Sequence, residues 1–459
     1  MGERSAPARP RGMLVPLALA QFSCGFAVTS TAVLIADICD DLNTGVAGVQ
    51  LVITMFLLIT AAVTIPAGRL AERYGRKRCF TVGLSLYGAG AVVSALAPGV
   101  GVLVLGASVL AGVGAALLIP PVYILTALLF SENSSRAMAF GVLLTAGGAG
   151  AAAGPLLGGL IAFGPGWRAA FAFQALVIAA VLVCTRRMRD PIPADPARTL
   201  DVVGAVLSAG GLALLVLGIL AADNDLRWSA VLIALAALVL TGFLVRVRAT
   251  ETAGGDPLIS TSLFRSKVGN IGLATRLLQW LILMGAVFVV SAYLQVVRGH
   301  DPIGTGLIVT AATAGLLVSS LAAGRVGRGL PRRTLIMAGF GAVVVGAVTL
   351  IVLAGTTVPA WAIAPELLLI GLGVGSMLTP SVDVVQSAFG EDRQGEISGL
   401  SRCVSTLGSS LGIAIAGTVL VAGLSSHTYA FAMLTLAGAG ALGLFASAEL
   451  PSRTPLGQP

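Results

Sequence analysis

Few residues in this chain are placed to do chemistry, and most of those lie inside long uncharged stretches. Glu366 and Arg276 each stand within such a stretch, while Asp37 and Asp383 stand near the ends of two others. A charge held in hydrocarbon costs about 2.5–3.5 kcal/mol on insertion scales, so residues of this kind are functional candidates by default. Low dielectric favours the neutral form of a carboxyl group, which makes proton uptake the natural chemistry. Glu366, Asp37 and Arg276 are accordingly the candidates for proton coupling. Other chemistries lack their residues. Cys24, Cys39, Cys79, Cys184 and Cys403 are scattered without a CxxC pair, and His300 and His427 have no Cys or His at ligand spacing. No metal site is expected, and no clustered catalytic set suggests an enzyme. A phosphate-binding G-x-x-x-x-G-K-[ST] loop is absent, so no ATP site is expected. No cofactor is expected, and uphill transport would have to use an ion gradient, protons first, or a separate ATPase subunit.

The elements that must hold these residues follow from composition. The chain has 459 residues, 56% hydrophobic and only 10% charged, where ordinary soluble domains carry about 25% charged residues. The charges are bunched, and the stretches between them are long enough to cross a bilayer as helices. Fourteen spans are expected, from 13–36 to 428–449. The segment 186–270 decides between twelve and fourteen: 202–222 and 228–245 hold no charge and are separated by the short run Asp223–Arg227, so two further spans are expected there. The layout is a tail at 1–12, a six-helix bundle at 13–185, a linker at 186–270 carrying the extra pair, a second six-helix bundle at 271–450 and a tail at 451–459.

Charge fixes an expected orientation. With fourteen spans, twenty-four of the 28 basic residues fall in the tails and alternate connections on one side, the cytoplasmic side by the positive-inside rule. Arg402 is counted there, in a connection. Only Arg168, Arg227 and Arg298 fall on the other side. The net charge of +8 then reflects topology and anionic lipid. No basic stretch is interleaved with aromatics, so nucleic acid is not an expected partner. The expected partners are the lipid bilayer and a small molecule, with the chain working as a monomer.

Two glycine clusters stand out from general helix packing. GRLAERYGRK at 68–77 joins the second and third spans, with Gly68, Glu72, Arg73, Gly75 and Arg76 at its key positions. A weaker echo, Gly324 to Arg333, joins the tenth and eleventh and points to duplicated halves. GAAAGPLLGG at 150–159 lies in the fifth span, with Gly150, Gly154, Pro155, Gly158 and Gly159. Proline bends this helix and the glycines flatten one face of it.

These clusters resemble motifs A and C of the major facilitator superfamily, with Glu72 in place of the usual aspartate. Trp167-Arg168, Tyr293-Leu-Gln295 with Gly299, and Gly395-Glu-Ile-Ser-Gly399 are further points of similarity, and the resemblance covers nearly the whole chain. It implies an all-α integral membrane fold of two six-helix bundles with an extra central pair, as in the fourteen-span drug:proton antiporter branch. It implies export of small lipophilic molecules by alternating access, with motif A as a gate latch and motif C as a helix bend, in the plasma membrane of a bacterium with both termini cytoplasmic. The alternatives are an uncoupled facilitator or exporter of a native metabolite and, from another class, a non-transporting membrane receptor. The chain departs from the branch at Ala27, where an acid is usual in the first span, and at Ser108 and Ala111, where arginine and glutamine are usual in the fourth. If the family arrangement holds, the first and ninth spans face the cavity, which makes Gln21, Phe26, Thr29, Gln279, Trp280 and Tyr293 the substrate candidates. A nearly uncharged cavity would suit a neutral or weakly charged cargo.

Overall fold

In a computed structural model the described residues are 10–130, 133–186, 190, 201–223, 225–255, 257–326, 330–356, 358–389 and 394–451. The tails expected at 1–12 and 451–459 lie almost wholly outside them. Among the described residues there is no strand, and fourteen helices are long and apolar enough to cross a membrane. They are α1 (Pro10–Ala32), α2 (Val46–Tyr74), α3 (Arg76–Ala95), α4 (Val100–Leu129), α5 (Asn133–Phe163), α6 (Trp167–Thr185), α7 (Val202–Leu220), α8 (Leu226–Thr252), α9 (Lys267–Ala292), α10 (Pro302–Val326), α11 (Arg332–Leu353), α12 (Ala364–Ser387), α13 (Gln394–Val421) and α14 (Ser426–Ala448).

Helices α1–α6 form one bundle and α9–α14 the other. The bundles meet along two long seams, α2 against α13 and α5 against α10. Helix α7 lies over the α2–α13 seam, where Val216 packs with Leu58 and Ala414. Helix α8 packs on α7, and the ion pair between Arg246 and the buried Asp201, 3.0 Å, fastens the two at the arginine-rich end. Burial separates centre from periphery: 83% of the central stretch of α9 is buried within the protein against 11% for α8. Helix α8 is thus the lipid-facing outrigger and α9 the axis.

Most helix bounds differ from the sequence expectation by a few residues; the helices flanking the 68–77 cluster run on to leave only Gly75 between them, and three further differences move a residue singled out from the sequence or counted for topology. The first span ends at Ala32, and a separate short helix, Ile35–Asp41, carries Asp37. In the twelfth span a 3-10 turn, Ala360–Ile363, comes first, and the α-helix then starts with Pro365 in its opening turn. Glu366 therefore sits in the first turn of α12, where an acid favours the positive end of the helix dipole. The third difference is α13, which begins at Gln394 rather than near 403. Arg402 thus lies about two turns inside a spanning helix, not in the connection before it.

Candidate functional site

Short connections and close-packed glycines set the mechanical parts of the site. Between α2 and α3 the chain reverses at Gly75, whose φ of +99° is a conformation that side chains with a Cβ rarely adopt. The Asp190 carboxylate, beyond the end of α6, accepts a hydrogen bond from the Lys77 backbone N–H at 3.1 Å and so caps α3. Sequence reasoning missed Asp190, because nothing in spacing links it to a turn more than a hundred residues earlier. Gly68 lies 3.8 Å (from its would-be Cβ) from Pro120 of α4. Glu72, Arg73 and Arg76 flank the reversal, Arg73 with its guanidinium over the Tyr74 ring. Arg69, beside them, donates to the Pro257 carbonyl at 3.3 Å. That contact ties the reversal to the segment leading into the second bundle, which is held in turn by Ser260 N–H on Glu396 at 3.2 Å.

The glycines at 150–159 divide between two partners. A Cβ at Gly150 would collide with the Phe22 carbonyl, at Gly154 with Thr29 and the Phe26 carbonyl, and at Gly158 with Ser30, all on α1. Gly159 faces the other way: its Cβ would come within 2.6 Å of the Pro302 carbonyl on α10, while Gly306 of α10 is pressed on the Pro155 carbonyl. One face of α5 thus joins it to its own bundle, and another, where Gly148 meets Leu317 and Gly159 meets Pro302, joins it to α10 of the other. Nearby, Gln295 accepts from the Ala36 backbone at 3.1 Å and donates to the Ala32 carbonyl at 3.3 Å. Gln50 donates to the carbonyls of Ile413 and Ala414 at 3.0 and 3.1 Å. The end opposite the arginine-rich one is therefore sealed by backbone-to-backbone closeness and buried amides.

The residues singled out as substrate candidates fall in different places. Phe26 stacks on Phe22 and meets Phe173 edge-on, and Thr29 bonds within α1 and fills the groove opposite Gly154; both belong to the packing of the first bundle. Tyr293 stacks on Tyr429 with centroids 4.2 Å apart, at the sealed end. Gln21 is buried toward Gly147 of α5. Gln279 donates to Ser381 of α12 at 2.6 Å while its carbonyl oxygen has no partner, and Trp280 Nε1 is also buried without one. Arg276 precedes Trp280 by one turn and is 8% exposed. Arg402 of α13 and the Tyr123 hydroxyl of α4 lie within electrostatic reach of it. Two guanidinium groups, on α9 and α13, thus stand within the spanning helices, which differs from the nearly uncharged centre expected. Arg402 was missed because the start of α13 was placed too late.

Of the proton-coupling candidates, Glu366 opens α12 and Asp37 sits on the short outer helix, where burial first and Asp40 second raise its pKa. Neither adjoins Arg276. In place of the acid and amide usual in the family, Ala27 and Ala111 line a cavity of about 20 Å³ inside the first bundle. Its wall includes Tyr87 and Gln174, which bond each other at 2.7 Å, and Tyr87 donates to the Ser23 carbonyl at 3.1 Å. Ser108 turns away and donates to the Val52 carbonyl at 2.8 Å. Among the described residues no group of three or more His, Cys, Asp or Glu could hold a metal ion.

The profile of the Major Facilitator Superfamily matches residues 17–413. The chain belongs to the major facilitator superfamily. As a member it is a multi-pass membrane transporter and not an enzyme. This facilitator is 31% identical to the puromycin resistance protein pur8 of Streptomyces alboniger over 420 residues, 90% of this chain and 82% of that protein. It is 31% identical to the tetracenomycin C resistance and export protein of Streptomyces glaucescens, covering 86% and 73%. It is 29% identical to the probable actinorhodin transporter of Streptomyces coelicolor, covering 85% and 69%. Among solved structures the fold matches a peptide transporter in complex with sulfate at a TM-score of 0.70 and 17% identity, over 98% of this chain and 96% of that one. It also matches a D-xylose-proton symporter at 0.69 and 14% identity, over 97% and 99%. Both likenesses extend over the full bundle pair.

Proposed function

We propose that this facilitator exports small lipophilic molecules, antibiotics among them, from a bacterial cytoplasm by alternating access coupled to proton entry. The arginine-rich end, with both termini, faces the cytoplasm in the plasma membrane, and the chain acts as a monomer. The observation that carries the reading is the seal between Gly159 and Pro302 and between Pro155 and Gly306. A seam without side chains can part and close with little repacking, which alternating access requires. The reversal built from Gly68, Glu72, Arg73, Gly75 and Arg76, with Arg69 on the Pro257 carbonyl, serves as the latch at the cytoplasmic end. The relatives, named for resistance and export, support the direction and the cargo class.

The test is efflux of ethidium from proteoliposomes with and without an imposed pH gradient, repeated with Glu366→Gln and Asp37→Asn. Export that rises at least severalfold with the gradient, and loses that rise in one of the variants, is expected. A second reading, export without protons, is favoured by Ala27 and Ala111 lining an unfilled cavity where the branch has its proton-handling groups. Flux indifferent to the gradient would establish it, and absence of flux for every compound tried would favour the receptor.

A further inference from the structure

Arg276, which is buried, and Arg402, which is half-buried, lack the partners usual for a charge within a spanning helix. Arg276 Nε and Arg402 Nε are both buried without a hydrogen-bond partner, and Trp280 Nε1, one turn along from Arg276, is a third buried donor with no acceptor. Among the described residues, neither arginine forms an ion pair with a carboxylate. The groups within electrostatic reach of Arg276 are another arginine and a phenol. Two like charges within electrostatic reach of each other repel, and charges inside spanning helices persist where a partner or a function requires them. Donors in excess, with positive charge in excess, are the complement of an anion. Apolar and aromatic surface adjoins them: Trp280 on α9, and Tyr123 stacked on Phe140 with centroids 6.0 Å apart. We propose that Arg276 and Arg402 form an anion site between the bundles, and that the exported cargo is an aromatic or lipophilic molecule bearing a carboxylate or ionised phenol. The proposal rests on the export reading and sharpens its cargo class. An anionic cargo moving outward is also driven by an interior-negative membrane potential, so its export does not depend on an acid at position 27.

The test uses two probes that differ by charge, 1-naphthoate and 1-naphthamide, with the purified full chain in detergent micelles. Tryptophan quenching and thermal unfolding report binding. A hydrogen bond to a charged group is worth about 1.5–3 kcal/mol, so naphthoate should bind about ten- to a hundredfold more tightly than naphthamide and alone raise the unfolding temperature. Arg276→Gln and Arg402→Gln should bring the two probes to within about twofold, while Arg276→Lys and Arg402→Lys keep the preference. Each glutamine variant removes one of two repelling charges, so without probe it should unfold no lower than the parent. Equal binding of both probes to the parent, or a preference that survives in both glutamine variants, overturns the proposal. Liposomes separate the two readings. Ethidium efflux without any naphthoate preference overturns the anion site and leaves export standing. A naphthoate preference in binding without flux of any probe overturns export and leaves the site.

Discussion

The first and fifth helices of each bundle pack in the same way, yet the two seams carry different side chains. In the first bundle, α1 and α5 touch through Gly25, Gly150, Gly154 and Gly158. In the second, α9 and α13 touch through Gly285, Gly408 and Gly412, whose Cβ positions are occupied by backbone of the facing helix, the Leu277 and Leu281 carbonyls at the last two. The mechanics are shared, as duplicated halves predict. The chemistry is not. The α1–α5 seam has no described charge on its spanning stretches, and a buried Tyr87–Gln174 pair and a small cavity stand beside it. The α9–α13 pair carries Arg276 on one helix and Arg402 on the other, each with an unpartnered Nε, and α9 adds the half-used amide of Gln279. The difference is a division of chemistry: the spanning stretches of the α1–α5 pair are uncharged, and the α9–α13 pair carries the groups that the proposed anion site would use.

The strongest way to break this comparison is to widen one seam at a time. Gly154→Val and Gly412→Val should each cost efflux more than about tenfold, with lower recovery of monodisperse protein, because overpacking costs roughly 1–3 kcal/mol and the obstructing atoms include backbone. If only one of the two lost activity, the seams would not be equivalent machine parts. Next come the two buried glutamines. Gln174→Leu removes the hydrogen bond that the Tyr87 hydroxyl accepts, leaving it the Ser23 carbonyl, and should lower stability by about 0.5–1.5 kcal/mol in thermal unfolding. Gln279→Leu removes an amide already missing one partner and should cost less. The reverse ranking would place the structural role in the second bundle.

Asp190→Ala tests whether the first bundle owns its latch. Losing the cap on α3 should cost about 0.5–2 kcal/mol and weaken efflux modestly, with the anion preference of the second bundle unchanged. The smallest effect expected is at Asp37. Its folded pKa is raised above 3.8 by burial and by Asp40, so the folded state holds the proton more tightly. The stability it contributes is present below 3.8 and is lost as pH rises through the folded value. Asp37→Asn should flatten that fall in a pH series of unfolding temperatures, and a series left unchanged would remove Asp37 from any proton role.

Much was legible in the sequence, and the reason is local. Span count, the reversal at Gly75 and the close-packed glycine face of α5 follow from runs of apolar residues, bunched arginines and glycine spacing, all of which act over one or two helical turns. The same information separated the extra pair α7–α8 from a long loop, since 202–222 and 228–245 carry no charge. What failed were helix starts. Arg402 was placed in a connection because the polar run before it reads as loop, and Glu366 seemed deep because the 3-10 turn at Ala360–Ile363 is invisible to hydropathy.

The sequence by itself determined the class of this protein, because a chain so poor in charge can satisfy its backbone in only a few ways within lipid. It also determined where the chain is able to bend and pack closely. Only the tertiary structure decided which of four glycines faces the other bundle, that Asp190 caps a helix begun far upstream, and that arginines on α9 and α13 come within electrostatic reach of each other. Those are relations between distant segments. They depend on how helices are placed against one another, and no spacing along a single helix encodes that placement.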